Sequence, residues 1–519
     1  MTSLSDQDSR GNRQHLLFAV VVTAVYALIT AVFMARHVMW RDEWHMWLIA
    51  RDATDLSSLW EYTRPTGHPG LWYLLLFVVS RLFRDPAVMQ VLHFVVATAA
   101  VFIFLYFARL PRLHKLLYAF GFFPMYQYAI ISRCYAPGLL LMMGYCALVT
   151  TGRHGGLPGA VVLALLANAS AFGWLLAVAL GVVFLLPESF RAPRLPNKIL
   201  PGFVFACGLI VSLIVMFPSA DATCGGIQRG LLSGNVPWLW SKAAGVLRCV
   251  GDTYLSGMIQ MLVGEAAAVS LACIFFFALA FLRQRSALAF YLISLFGMLV
   301  FKYLVYLGYY WHDGHFLIAL VASCWLYFCL PQRALKWPWL DAASRACSAL
   351  LPGVLAVFLA LHVIFAGFNF LSEWKRPYSG SKAAADFIAN SEFRGAEIIG
   401  DVDYTLIGVS GYLDRPIYYL ASESWGTFVL FNNKRHATRG DPEEMRRRIG
   451  RLGEWDKDRV LVLNYELTPS AADVLGARFL YASPQVIFGD ERFWVYHLPP
   501  QGAEREKRPR RFRHTGGKT

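Results

Sequence analysis

Charged residues are scarce in this sequence, and their scarcity excludes soluble and disordered chains. Asp, Glu, Lys and Arg make up only 16% of the 519 residues, whereas 57% are hydrophobic and 15% are aromatic. An ordinary soluble protein carries clearly more charge. Uncharged stretches of about 15 to 30 residues recur along the chain, and a membrane-spanning helix needs about 20 apolar residues. The composition therefore predicts an all-α polytopic membrane domain.

A continuous basic face is also absent. The chain has 48 Lys and Arg against 34 Asp and Glu, a net charge of +14, but the cations lie in short loops between apolar runs and in the C-terminal segment. A nucleic-acid-binding protein would gather them on one face, so we expect no nucleic-acid partner. No small-residue cleavage site follows the first uncharged run, Leu16 to Ala35, which is therefore predicted to be a retained signal anchor.

Apolar runs and loop charges predict the topology. Eleven spans are expected near residues 16–35, 88–108, 116–131, 136–150, 157–171, 172–186, 199–217, 258–282, 287–308, 315–331 and 348–370. The run from Leu71 to Ser80 is too short to cross and is predicted to be a juxtamembrane helix on the membrane surface. With the N-terminus in the cytoplasm, every cytoplasmic connection is then basic, as the positive-inside rule requires. The first external loop is 36–87.

Beyond the predicted membrane domain, residues 1–371, the pattern changes to short apolar runs separated by charges. Strands are expected at 397–402, 416–420, 427–431, 459–463 and 493–497, and helices near 381–390 and 469–476. These elements predict an extracytoplasmic α/β domain over residues 372–500. Residues 501–519 are basic and almost free of apolar side chains, so we expect a disordered tail.

Most of the nine cysteines fall in or beside predicted spans, where a thiol is usually a small apolar packing group. Cys224 and Cys249 differ, because both lie in a predicted external loop at about 218–257. An external loop faces an oxidising compartment if this topology is correct. The alternatives are a disulfide or two free thiols, and we favour the disulfide.

Two adjacent carboxylates, Asp42 and Glu43, follow the first predicted span and lie among Trp40, Trp44 and Trp47. Desolvation beside large aromatic side chains raises a carboxylate pKa, which is what a general base needs. The alternative is that the two acidic residues cap the following helix or mark the membrane boundary.

Two more polar segments lie where the third and ninth predicted spans emerge on the external side. The first contains Arg133 and Tyr135, and the second contains His312 and His315. An arginine near the acyl boundary is costly unless it meets an anion, and a lipid-linked phosphate is such an anion. The alternatives are snorkelling to headgroups for the arginine and packing in the interfacial aromatic belt for the histidines.

The order of these motifs resembles a known family. Asp42-Glu43, a loop of about 25 residues, the segment His68 to Leu75, and then Arg133 with Tyr135 are similar to the GT-C superfamily of polytopic glycosyltransferases. Within it, the nearest branch contains the protein O-mannosyltransferases and the lipid A aminoarabinose transferases. The resemblance covers the first 150 residues or so at motif level. It implies a bacterial-type inner-membrane enzyme that transfers a sugar from a polyprenyl-phosphate donor to a glycan, lipid or protein acceptor at the external face.

The resemblance and the chemistry of sugar transfer give each candidate residue a role. Asp42 is the expected base that takes the proton of the acceptor hydroxyl, and Glu43 is its neighbour in acceptor or metal binding. The expected ligands of the donor phosphate are His68, Arg133 and Arg64, and the expected sugar-binding residues are Tyr135, Trp44, His312 and His315.

The chain departs from the family pattern in two places. The aminoarabinose transferases have a Glu-Lys-Pro-Pro-like segment where this chain reads Gly67-His68-Pro69-Gly70, and Ser132-Arg133 stands where some relatives have an acidic residue. We therefore predict no certain cofactor and leave a divalent metal ion open.

Other classes of function also use many spans. A lipid-linked glycan transporter should show inverted repeats or charges near span centres, which only Glu265 and Lys302 approach here. A glycan polymerase or ligase would rely on arginines and a histidine in a large external loop and would not need Asp42. A scaffold would use its external domain only to bind a partner. The glycosyltransferase is the reading that we favour.

Overall fold

The computed structural model describes residues 4–191, 195–223, 236–256, 266–453 and 457–500. Its contacts divide the chain into two compact units. The membrane unit contains the residues up to His37 together with Ile49–Ser372, and the C-terminal unit contains Val38–Leu48 together with the residues from Glu373 onward. The segment that carries Asp42 and Glu43 therefore folds with the C-terminal unit.

The helices up to Lys375 are α1 (Leu4–Arg36), α2 (Arg41–Asp52), α3 (Leu56–Thr63), α4 (Leu71–Leu82), α5 (Ala87–Phe107), α6 (Arg112–Ala119), α7 (Tyr135–Thr150), α8 (Leu157–Ala167), α9 (Ala171–Leu180), α10 (Leu186–Arg191), α11 (Leu195–Met216), α12 (Val236–Tyr254), α13 (Ala266–Phe281), α14 (Arg285–Leu304), α15 (Tyr310–Cys329) and α16 (Pro338–Lys375). Helix α5 packs against α1 and α7, α8 against α11, and α15 against α12 and α14.

Six helical stretches in the described residues are long and apolar enough to cross a membrane. They are residues 13–36, 87–107, 171–188, 199–216, 285–304 and 338–375. Shorter apolar helices include α4, α7, α8 and α13. The prediction of a polytopic helical membrane fold is confirmed. At 12 residues, α4 is only about 18 Å long, which is shorter than a hydrocarbon core of about 30 Å.

One predicted span, residues 116–131, is not a continuous helix. Helix α6 ends at Ala119, and a π-helical turn follows at Phe122–Gln127, in which the N–H of Tyr128 donates to the carbonyl of Phe123 at 2.8 Å. Gly121 and Pro124 explain the break, because glycine is a poor helix former and proline lacks an N–H. The segment is apolar, as predicted, but it does not form the continuous helix that the prediction required.

Side chains from other helices satisfy the carbonyls of this irregular segment, which is buried throughout. The hydroxyl of Tyr26 donates to the carbonyl of Pro124 at 2.8 Å. The ring nitrogens of His93 each lie 3.1 Å from a carbonyl oxygen, that of Ala129 and that of Arg133. Non-helical backbone is tolerated at membrane depth only where such partners exist. The segment therefore holds Arg133 in a fixed place.

A second difference concerns the predicted loop at 218–257, which contains the 19-residue helix α12. This helix packs against α13 and α15. It carries Lys242, Arg248 and Asp252 among its apolar residues, and these charges are why the sequence pattern was not read as a helix in the membrane domain.

The C-terminal unit is an α/β domain, as predicted. Its strands are β1 (Glu397–Gly400), β2 (Ile417–Tyr419), β3 (Ser424–Gly426), β4 (Arg459–Leu463), β5 (Arg478–Ala482) and β6 (Trp494–Leu498), and its helices are α17 (Ser381–Asn390), α18 (Ile407–Leu413), α19 (Pro442–Gly450) and α20 (Pro469–Leu475). The strand order is β3-β2-β1-β4-β6-β5. Strand β1 is parallel to β2 and β4, and the other pairs are antiparallel.

The predicted strand at 427–431 is wrong. The strand in this region is β3, which ends at Gly426, and the apolar residues that follow it are not in the sheet. They pack instead on the segment Val38–Leu48, where the rings of Phe428 and Phe431 lie 6.3 and 5.2 Å from the ring of His45. An apolar run buried by another segment gives the same pattern as a buried strand.

Candidate active site

Arg133 lies among aromatic rings in the membrane unit. Its side chain is 4% exposed, and its Cζ is 5.1 Å from the ring centroid of Tyr135 and 5.6 Å from that of Trp311. Both distances fall within the range of cation–π contacts. The hydroxyl of Tyr128 also donates to the carbonyl of Trp311 at 2.6 Å. The two polar segments predicted at the ends of different spans therefore meet.

His312 and His315 of helix α15, the two histidines predicted to bind sugar, lie beside the ring of Tyr135, as Arg133 does. The ring of Tyr135 lies 5.9 Å from the ring of His312 and 5.6 Å from that of His315. Phe172 covers both imidazoles at 5.7 and 5.0 Å. We call the set Arg133, Tyr135, His312 and His315 the Arg133 cluster.

Lys302, the last-turn lysine of α14, forms a buried ion pair beside this cluster. Its Nζ lies 2.5 Å from Oδ1 of Asp313 and also donates to the carbonyl of Leu307. The lysine side chain is fully buried, and Asp313 is nearly so. In the predicted topology, Lys302 is a charge that approaches a span centre. In the structure it has an anionic partner, Asp313, which directly follows His312 in the chain.

Arg64 and His68 occupy the turn before α4. A 3-10 turn at Arg64–Thr66 ends at Gly67, whose φ of 68° lies in the left-handed region that glycine adopts without strain. The N–H of His68 donates to Oγ1 of Thr66 at 3.3 Å. Arg64 is half-buried, and its turn packs against α11. The phosphate roles of Arg64 and His68 stay predictions.

Asp42 and Glu43 lie in the first turn of α2, in the C-terminal unit, and they have different surroundings. Glu43 is 0% exposed, and its Oε2 accepts a hydrogen bond from the N–H of Trp40 at 3.1 Å. This is the reach of the third helical residue back to the N-cap that occurs in capping boxes. Asp42 has 31% of its side chain exposed, and its Oδ1 lies 3.9 Å from Nε of Arg41. Glu43 therefore caps the helix, and Asp42 is the accessible carboxylate.

Trp44, one turn into α2, is buried by α18. It is 2% exposed, and its ring lies 4.7 Å from that of Tyr412 in an edge-on arrangement. A side chain at Gly411 would overlap the Trp44 ring, so that position requires glycine. This packing accounts for Trp44 without a ligand, and its role in sugar binding stays a prediction.

The remaining predicted features are the disulfide and the metal ion. Cys224 lies outside the described residues, so its pairing with Cys249 stays a prediction. Cys249 is in α12, where its thiol donates to the carbonyl of Gly245 at 3.5 Å. The part of the chain that the structure describes contains no group of three or more His, Cys, Asp or Glu side chains that could hold a metal ion.

Sequence reasoning missed the partners of Arg41. Its guanidinium lies 2.8 Å from Oδ2 of Asp490, and its backbone N–H donates to Oε1 of Glu491 at 3.0 Å. About 450 residues separate these partners along the chain. Arg41 directly precedes Asp42 in the sequence, but no periodicity or spacing links it to a distant pair of carboxylates.

Comparisons with known proteins give two similar structures. No protein-family model matches the sequence, and no curated protein matches it significantly. The structure is similar to the crystal structure of ArnT from Cupriavidus metallidurans in the apo state, with a TM-score of 0.48 and 13% identity. It is also similar to ArnT from Cupriavidus metallidurans bound to undecaprenyl phosphate, with a TM-score of 0.46 and 12% identity. Each comparison covers 92% of this chain and 98% of the other.

Proposed function

We propose that this chain is a membrane glycosyltransferase that moves a sugar from a polyprenyl-phosphate donor to an acceptor hydroxyl at the external face of a bacterial-type inner membrane. One observation carries the proposal. Two separate chain segments bring Arg133 and Tyr135 together with His312 and His315 in one group of side chains among aromatic rings. Positive and imidazole groups gathered in this way suit an anionic ligand.

A lipid-linked phosphate is the anion that fits this cluster best. A polyprenyl tail is insoluble and must be met within the bilayer, so its phosphate is expected beside membrane helices. The Arg133 guanidinium can donate two parallel hydrogen bonds to one phosphate, and its fixed charge stabilises the negative charge that develops as the sugar leaves. Lys302 contributes less, because Asp313 already neutralises it.

The acceptor hydroxyl must lose a proton as it attacks the anomeric carbon of the sugar. Asp42 is the base in this proposal, because its carboxylate is accessible whereas that of Glu43 is buried and caps the helix. Proton removal by a positioned carboxylate typically accelerates such a step about 10²- to 10⁴-fold. The attack from one face with departure of phosphate from the other gives inversion at the anomeric carbon.

The rings of Tyr135, His312 and His315 are the proposed contacts of the sugars. Aromatic and imidazole faces pack well against the apolar faces of sugar rings, and the imidazoles also donate or accept hydrogen bonds. Mass spectrometry of lipids that copurify with the protein would identify the sugar. The acceptor, whether a glycan, a lipid or a protein, is then found by supplying candidates to the loaded protein.

The direct test uses the full-length protein in lipid nanodiscs with a panel of polyprenyl-phosphate sugars. We expect the wild type to bind such a donor and to transfer its sugar to an added acceptor. Arg133→Gln should weaken donor binding about 10- to 100-fold, because it removes a charge-assisted contact with phosphate. The matched control is Arg112→Gln, which also removes an arginine that contacts an aromatic ring, Phe18 at 5.3 Å.

Arg112→Gln should leave donor binding unchanged. Equal loss in both variants would mean that any arginine of the membrane unit has this effect, and unchanged binding in Arg133→Gln would exclude the assigned phosphate site. Binding of the donor without any transfer, over a broad set of acceptors, would instead favour a transporter.

A further inference from the structure

The start of helix α2 is fixed by side chains of the C-terminal unit. Arg41 makes three polar contacts there: its guanidinium contacts Asp490 and Glu491, and its backbone N–H donates to Glu491. Its Cζ also lies 5.0 Å from the ring centroids of both Tyr404 and Phe488. Four residues from two parts of the domain thus hold one arginine, next to the candidate base.

The residue before Arg41 is held by a stack of rings. Trp40 meets Phe488 at 4.4 Å and Tyr378 at 5.8 Å, and these two rings are stacked on each other at 5.9 Å. Backbone hydrogen bonds join the two supporting stretches, since the N–H of Phe488 donates to the carbonyl of Tyr378 at 3.0 Å and that of Gly380 donates to the carbonyl of Glu491 at 2.9 Å. The two stretches that contact Trp40 are therefore joined to each other by backbone hydrogen bonds.

A third attachment lies one turn further along α2. Nε2 of His45 lies 2.8 Å from the carbonyl oxygen of Val429, within hydrogen-bond distance. The preceding residue, Trp44, packs against Tyr412 of α18. Asp42 and Glu43 thus stand between two anchored ends, Trp40-Arg41 before them and Trp44-His45 after them.

We propose that the C-terminal domain is the positioning element for the candidate base, and that Arg41, held by Asp490 and Glu491, is its principal positioning residue. The inference rests on the proposed function in that Asp42 is taken as the base. It gives the C-terminal domain a role in the transfer step itself.

Asp490 and Glu491 also determine which carboxylate the guanidinium of Arg41 contacts most closely. Nε of Arg41 is 3.9 Å from Oδ1 of Asp42, whereas its NH1 is 2.8 Å from Asp490 and 3.6 Å from Glu491. An arginine that pairs closely with a carboxylate makes it a weaker base. Asp490, the nearest of the three carboxyl groups, keeps the guanidinium from closing on Asp42.

The first arm of the test is hydrogen–deuterium exchange of the full-length protein, measured on peptides that cover residues 38–48. We expect amides of this segment to exchange about tenfold faster or more in Arg41→Gln than in the wild type, because local opening becomes easier. Arg41→Lys should restore part of the protection, since it keeps the charge but not the fork of donors. The matched control is Arg459→Gln, which removes a buried arginine of the same domain, paired with Glu397 at 2.8 Å.

Arg459→Gln should leave exchange of residues 38–48 at the wild-type rate. Unchanged exchange in Arg41→Gln, or equal acceleration in both variants, would overturn the positioning role. This arm needs no substrate, so it decides the structural half of the proposal even if the chain proves not to be a glycosyltransferase.

The second arm is transfer kinetics in variants that retain normal thermal stability. Arg41→Gln and Asp490→Asn should lower kcat about tenfold or more with little change in the donor KM, because an interaction that acts only in the transition state affects kcat alone. Arg41→Lys should recover part of kcat. A rise in donor KM with unchanged kcat would overturn the proposal, since it would place Arg41 in donor binding. If the wild type transfers no sugar, the proposed function fails, and the exchange result stands separately.

Discussion

Glu43 closes the first turn of α2 by accepting a hydrogen bond from the N–H of Trp40, 3.1 Å from its Oε2. Two adjacent carboxylates that look alike in the sequence therefore have separate tasks. The capping alternative holds for Glu43, and it leaves Asp42 as the residue on which catalysis would depend.

The capping role predicts a distinction between two substitutions at Glu43. Glu43→Gln should retain most of the activity and stability, because an amide oxygen can accept the same hydrogen bond. Glu43→Ala should destabilise the C-terminal unit by about 0.5–1.5 kcal/mol, the usual contribution of one hydrogen bond. Thermal unfolding and transfer rates measured on both variants check this. Loss of transfer in a stable Glu43→Gln variant would instead give Glu43 a direct chemical role.

Replacing Asp42 by Asn should abolish the base without changing the shape of the side chain. We expect kcat to fall about 10²- to 10⁴-fold with the donor KM nearly unchanged, because the proton of the acceptor has no carboxylate to receive it. Steady-state transfer kinetics provide the measurement. Asp52→Asn, at the other end of α2 where Asp52 pairs with Arg51 at 2.6 Å, is the control and should remain active. An active Asp42→Asn variant would end the assignment.

The ion pair between Lys302 and Asp313 should be sensitive to the loss of one partner. Lys302→Met leaves an aspartate buried without its counter-ion, and such changes cost about 3–5 kcal/mol. The double variant Lys302→Met/Asp313→Leu should be less destabilised, because neither charge remains. Unfolding temperatures in one detergent would show the difference. Equal stability of the single and double variants would mean that the pair contributes nothing specific.

The stability of the C-terminal unit should fall as the pH rises through the range in which Glu491 ionises. Burial raises the pKa of Glu491 to about 8, even though the attraction of Arg41 lowers it, from an ordinary value of 4.5. An acid with a higher pKa in the folded chain holds its proton more tightly when folded. The protonated form of Glu491 therefore contributes its full stabilisation of the folded unit below pH 4.5. This contribution is lost progressively as the pH rises to about 8.

Thermal unfolding between pH 5 and pH 9, compared with Glu491→Gln, isolates this contribution. The groups that face Glu491 are Arg41, Asp490 and Ser379, and the substitution keeps all of them. The wild type should lose several degrees relative to the variant over this range. Parallel curves for the two proteins would mean that Glu491 does not titrate there.

Gly411 predicts how tightly Trp44 is packed. Gly411→Ala places a methyl group inside the Trp44 ring, so it should cost about 1–3 kcal/mol and shift the tryptophan fluorescence. Gly395→Ala is the control, because a side chain there meets nothing within 4 Å. Trp44→Phe, which shortens the ring, should recover part of the stability of Gly411→Ala. An unaffected Gly411→Ala variant would contradict the described packing.

Much of the architecture was predictable because hydrophobic length and loop charge report directly on membrane helices. Helix α17, for example, falls at the predicted residues 381–390. The broken helix after Ala119 was not predicted, since apolar composition alone cannot distinguish a buried turn from a span. Strand β5 was missed as well, because its residues are half-exposed and carry no strong alternation.

The site was predictable only in part for a different reason. Residue type shows that Asp42 and Glu43 could act as bases and that Arg133 could bind an anion. It does not show which of the two carboxylates caps a helix. The partners of Arg41 were invisible because the contact joins residues about 450 positions apart. Long-range pairing of this kind has no local signal, whereas helices and strands do.

The composition of the C-terminal unit has a consequence for biosynthesis. Residues 38–48 emerge from the ribosome early, yet they pack with residues that begin at Glu373, more than 300 positions later. At roughly 5–20 residues per second, the ribosome takes tens of seconds to cover that distance. A nascent chain therefore carries Asp42 on an unsupported segment until the residues from Glu373 onward have been made and have folded, and a chain that stops before Glu373 lacks the partners of that segment.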